Sequence, residues 1–139
     1  DNNTIDRTCN LVLNHDFGLG EDTKAPAFRR FLGRLGEENF SDYIILRKAD
    51  MAGQSDYNKE EKERSIEKMY SLQKQVLEEN QCIKISDLAL NGKDLISLGM
   101  KPGKEMGEML HYLLETVLDL PEKNQRDTLI ALEKEKLNI

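Results

Sequence analysis

A chain of 139 residues, 38% hydrophobic and 33% charged, has the size of one or two domains and too much apolar content for a disordered polymer. Twenty basic against twenty-six acidic side chains leave a net charge of −6, which speaks against a generic duplex binder, because such modules draw most of their affinity from neutralising phosphates. No apolar run nears the roughly 18 residues a bilayer demands, no secretory leader opens the chain, and two cysteines cannot frame a disulfide scaffold, so the sequence reads as cytoplasmic, with reduced thiols and no membrane contact.

The residues predict helix almost throughout, an all-α fold of about seven helices. Ile5, Cys9, Val12, Leu13 and Phe17 repeat at helical spacing over about 4–17, and the Gly18–Gly20 pair ends that run. Asp22 or Thr23 is placed to cap a second helix with Pro26 in its first turn, carrying Phe28, Phe31, Leu32 and Leu35 and stopping at Gly36. A third runs from about Phe40–Asp42 through Ile44 and Ile45 to Gln54. A long fourth covers about 58–81; its start is a solvated row of alternating charges, and its later apolar face is Ile66, Met69, Tyr70, Gln73, Val76 and Leu77.

Composition changes at Cys82, where Ile83–Leu88 alternates like a short extended link. Asn91, with Asp94 three residues on, is placed to cap a short helix in a capping-box-like arrangement, the helix's apolar face being Leu95, Ile96 and Leu98. Gly99 suits a left-handed position just past its end. Pro102 and Gly103 open the next helix, and the stripe Met106, Met109, Leu110, Leu113, Leu114, Val117 and Leu118 marks it as the heart of the second block, with Leu110 expected to be buried and Leu110→Ala to cost about 2–5 kcal/mol. Pro121 stops that helix, and a last one spans about 122–136 with Leu129 and Leu132 inward. The expected organisation is two helical blocks, 1–56 and 83–139, joined by a long helix over 57–82.

Catalytic signatures are sparse: no GxSxG, phosphate-binding loop, GxGxxG or HExxH occurs. Cys9 and Cys82 read as structural thiols. The adjacent His15 and Asp16 fit either a polar helix end or the core of a metal-binding HD pair. Charge is uneven: between Lys24 and Lys48 six basic residues, Arg29, Arg30 and Arg34 among them, face three acidic ones. The corner at 91–107 admits two readings. It is an ordinary helix–helix turn with capping glycines, or a phosphate grip in which Gly103 opens the backbone and Lys101 and Lys104 flank the end of a helix.

The run Leu88-Ala-Leu-Asn-Gly-Lys-Asp-Leu-Ile-Ser-Leu-Gly-Met-Lys-Pro-Gly-Lys-Glu-Met-Gly-Glu-Met-Leu110, with Leu114-Glu-Thr-Val-Leu118 and Asn124-Gln-Arg-Asp-Thr-Leu129, resembles the C-terminal region of bacterial CCA-adding tRNA nucleotidyltransferases of the poly(A) polymerase-like class. Val12-Leu-Asn-His-Asp16, Phe31-Leu-Gly-Arg-Leu-Gly-Glu-Glu-Asn-Phe40 and Leu46-Arg-Lys-Ala-Asp-Met-Ala-Gly-Gln54 are similar to the later helices of the HD-type domain some members carry, and Asp50 falls where such domains place their last metal-ligand Asp. The family's catalytic head, with its paired metal-binding carboxylates, has no counterpart in the sequence.

The resemblance implies a C-terminal fragment that binds the tRNA backbone and holds no catalytic residue and no cofactor. Mg²⁺, CTP and ATP belong to the parent's head domain. The RNA-contacting residues it points to are Lys93, Lys101, Gly103 and Lys104, with Arg29, Arg30 and Arg34 as a second patch. His15 and Asp50 remain as vestigial metal ligands that alone hold no metal. Two other readings stand beside it: a fragment of an HD-type metal-dependent phosphohydrolase, and a helical protein-interaction domain.

Overall fold

The computed structural model describes residues 19–53 and 58–138. Among these residues the fold is all-helical, with six α-helices, three short 3-10 turns and no strand. The helix expected over 4–17 lies outside the described residues, as do His15 and Cys9. No described helix is long and apolar enough to cross a membrane. The chain divides into two compact units, Asp1–Glu79 and Asn80–Ile139.

In the first unit, α1 (Ala25–Leu35) has Pro26 in its first turn and buries Phe28, Phe31, Leu32 and Leu35, the i, i+3, i+4, i+7 positions of one helical face. The caps expected of Asp22 and Thr23 do not form. The N-cap is Lys24, which makes no side-chain cap, and the Thr23 hydroxyl instead accepts the Gly20 N–H at 2.8 Å. Gly36, at φ +91°, ends α1 and leads through the 3-10 turn Glu37–Asn39 into α2 (Phe40–Ala52). The buried Asn39 amide secures that turn by donating to Leu35 O at 2.9 Å. Phe40, Tyr43 and Ile44 of α2 face inward, and Phe28 meets Phe40 edge-on with ring centres 5.9 Å apart.

The long helix α3 (Lys59–Glu78) belongs to this unit and packs on both α1 and α2. Its buried face is Ser65, Ile66, Met69, Leu72 and Val76. Tyr70 and Leu77, expected inward, are 45% and 55% exposed, and Ile45 of α2 is 65% exposed. Leu72 takes the inward place because it lies three residues after Met69 and four before Val76, closing a narrower stripe than the apolar residues alone suggest.

In the second unit the segment after Cys82 is not an extended link. Ile85–Asp87 closes a 3-10 turn, held by the Asp87 carboxylate, which accepts the N–H groups of Ile83 and Lys84 at 3.1 and 3.2 Å. Next come α4 (Gly92–Ser97) and α5 (Lys104–Asp119). The core is Cys82, Leu88, Leu90, Leu95, Met109, Leu113, Val117 and Leu129. Leu110, Leu114 and Met106 only border this cluster, so the centre of the α5 stripe is Leu113, fully buried, and not Leu110. Ile96 of α4, expected inward, is 48% exposed.

The last helix also starts later than its sequence suggests. Pro121–Lys123 is a 3-10 turn, and α6 runs Arg126–Leu137. Between them the Asn124 side chain accepts the Ala89 N–H at 2.8 Å and donates to Asp87 O at 3.0 Å. Leu129 is buried as expected, while Leu132 only borders the core.

Candidate nucleic-acid interface

The corner joining α4 to α5 is built by local rules. Asn91 caps α4: its Oδ1 accepts the Asp94 N–H at 3.0 Å, and Asp94 returns a carboxylate oxygen to the Asn91 N–H at 2.9 Å. This reciprocal pair satisfies two N–H groups that a helix start leaves unpaired. At the other end Gly99, at φ +106°, lets the chain reverse, so that Met100 N–H reaches Leu95 O and Gly99 N–H reaches Ile96 O, both at 3.0 Å. That is the double closure of a Schellman turn.

The chain then presents Lys101, Pro102, Gly103 and Lys104 in succession, all exposed. Gly103 is the N-cap of α5 at φ +142° and ψ −161°, and no side chain caps this helix end. Its Gly107 N–H closes the first α-helical bond to Gly103 O at 3.2 Å. The N–H groups ahead of it therefore point outward at the positive end of a sixteen-residue helix. Such a backbone is open almost solely to glycine, so Gly103→Ala is expected to destabilise the unit by about 1–3 kcal/mol in a denaturant melt. Space around the added methyl is not the cause, since nothing lies within 4 Å of it.

Of the lysines expected here, Lys93 is exposed on α4 and Lys101 on the turn. Lys104 Nζ lies 4.0 Å from Glu108 Oε1 with both side chains largely in solvent, an ion pair too exposed to occupy the ammonium strongly. Two groups that the sequence reading missed brace the corner. Arg126 of α6 donates to Asp94 at 2.9 Å, and the Asn124 amide ties α6 to the segment before α4. Both act across more than thirty residues, so no local pattern announces them.

The Asn91 N–H and then Arg126 hold the Asp94 carboxyl below the usual carboxylate range. A carboxylate with a lowered folded pKa adds stability above its unfolded value, and that stability is lost as pH falls through the folded value. Acidification from neutral pH through the carboxylate range is therefore expected to destabilise the wild-type chain more than Asp94→Asn, as followed by denaturant midpoint against pH.

The second expected patch is divided by burial. Arg34 is exposed and Arg30 half-buried, whereas Arg29 is inside the first unit at 4% exposure and is no surface contact. An arginine that follows Phe28 and precedes Phe31 on a short helix is carried inward with that apolar face. Nearby, Arg47 is held by Tyr43 Oη and Leu19 O, and Lys48 is exposed.

Burial pushes the Cys82 thiol up to about 11, with Asp87 adding to the shift and a contact to Lys84 O opposing it, which suits a structural thiol and not a nucleophile. Asp50 is exposed on α2. No three His, Cys, Asp or Glu side chains gather as a metal-ligand set among the described residues.

A family profile described as "tRNA nucleotidyltransferase domain 2 putative" matches residues 43–132, well over half of the chain. The chain belongs to this family. The match to tRNA nucleotidyltransferase domain 2 runs from within α2 to within α6, so it takes in the whole α4–α5 corner with Lys93, Lys101, Gly103 and Lys104 and leaves Arg29, Arg30 and Arg34 outside. It also includes all of α3, the helix whose sequence was least distinctive. No curated protein and no solved structure matches the chain.

Proposed function

We propose that the chain is the tRNA-binding C-terminal region of a bacterial CCA-adding tRNA nucleotidyltransferase of the poly(A) polymerase-like class. In this reading CMP and AMP are transferred from CTP and ATP, with Mg²⁺, by a catalytic head outside these residues. In the same reading the role of these residues is to grip tRNA away from the reacting 3′ end.

The observation that carries the proposal is the start of α5. Gly103, in a backbone open to glycine, exposes uncapped N–H groups, and Lys101 and Lys104 flank them, all within the matched region. A helix start of this kind takes a phosphate, and phosphate contacts set register on an RNA without reading its bases. A-form RNA is recognised chiefly in this way, by shape and backbone.

The test is tRNA affinity of the full chain against salt. Binding is expected to weaken about tenfold or more between roughly 50 and 200 mM salt, because released counterions drive it, and to be alike for tRNAs of different sequence. No binding at any salt would favour a protein-interaction domain. Tight retention of a metal by the purified chain would favour the HD-type phosphohydrolase.

A further inference from the structure

The first unit sets an aromatic ring in solvent. Tyr70 of α3 is 45% exposed although it sits among residues that pack inward. Its ring is not loose. It meets Phe40, which is 1% exposed, edge-on with centres 6.0 Å apart and planes at 85°. Lys48 of α2 reaches over it, Nζ standing 5.5 Å from the ring centre. The exposed Ile45 lies three residues before Lys48, on the same side of α2.

An exposed aromatic ring has two common uses, and the charges decide between them. The buried centres of protein–protein contacts are depleted in lysine. Platforms for unpaired nucleic acid pair a held aromatic ring with cations that follow the backbone. Lys48 stands on the ring itself. Lys74 lies one turn further along α3, 3.9 Å from Glu78 with both ends mostly exposed. Glu67, one turn earlier, is the one acidic side chain at i±3 or i±4 from Tyr70.

We infer that Tyr70 and Lys48 form a binding site for one unpaired nucleotide of a tRNA, the base stacking on the ring and the phosphate meeting the Lys48 ammonium. This rests on the tRNA reading above and adds to it a contact that carries stacking as well as charge. Unpaired bases in loops, bulges and ends are the parts of an RNA free to stack on a side chain.

The experiment is binding of a fluorescently labelled tRNA to the full chain and to Tyr70→Ala, Tyr70→Phe, Lys48→Glu and the Lys101→Glu/Lys104→Glu double variant. Tyr70→Ala is expected to weaken binding about fivefold or more, the loss typical of one stacked base, with an unchanged salt slope. Tyr70→Phe keeps the ring and should bind within about twofold of wild type. Lys48→Glu should weaken binding and reduce the salt slope by about one.

Wild-type affinity in Tyr70→Ala, with the double lysine variant weakened, would overturn this site and leave the tRNA reading standing. A wild-type chain that binds no tRNA would overturn both. If Tyr70→Ala unfolds, Lys48→Glu decides, and wild-type affinity there sinks the proposal. If Tyr70→Ala keeps its tRNA affinity but alters the sedimenting mass of the protein, the face is a protein contact and the proposal fails.

Discussion

Changing both Lys101 and Lys104 to Glu is expected to weaken tRNA binding by well over tenfold at low salt, or about 1.4 kcal/mol or more. The two side chains flank the uncapped start of α5, where a phosphate would meet both the helix dipole and their ammonium groups. Reversal places two carboxylates against the phosphate, a change of four charges at one spot. The fold should tolerate it. Both positions are exposed, and an acidic residue at the first position of a helix is favourable by about 0.3–1 kcal/mol. Loss of affinity should shrink as salt rises and be equal across tRNA sequences. Unchanged affinity in a variant with wild-type circular dichroism would make the corner an ordinary helix turn.

Leu113→Ala is expected to cost about 2–5 kcal/mol, the range for a large-to-small change at a fully buried leucine. Leu113 is completely shielded from solvent and lies among Leu88, Leu95, Met109, Val117 and Leu129. A small domain has about 5–15 kcal/mol in total, so the second unit would lose a large share of its stability. Leu110→Ala, at the border of the same cluster, should cost clearly less. Equal urea midpoints for the two variants would mean that α5 presents a different face to the core.

The turns of the α4–α5 corner were legible in the sequence because they are short-range, whereas the long-range braces from Arg126 and Asn124 were not. Asn91 and Asp94 bond across three residues, and Gly99 and Gly103 are demanded by backbone angles at single positions. The inward face of α3 was not. Tyr70 and Leu77 extend an apolar band wider than the surface available to cover it, and α1 and α2 cover the side that carries Leu72. The late start of α6 was hidden for a different reason: Asn124 spends its side chain on Asp87 and Ala89, far back in the chain. The link to tRNA came from likeness to a family and not from spacing or charge, since a net charge of −6 argues the other way. Local charge is what matters at a phosphate, and Lys93, Lys101 and Lys104 fall in one exposed corner.

The Asn124 bridge also bears on the order in which the second unit is assembled. A ribosome delivers residues 85–103 before Asn124 exists, and domains fold as their residues become available. The capping box and the Schellman turn join neighbours only a few residues apart, so the corner has its own instructions as soon as it emerges. The Ala89 N–H and Asp87 carbonyl, by contrast, are satisfied by a side chain 35 and 37 residues away. Until it arrives, water must serve both groups. Synthesis thus supplies the corner first and the side chain that locks its approach afterwards.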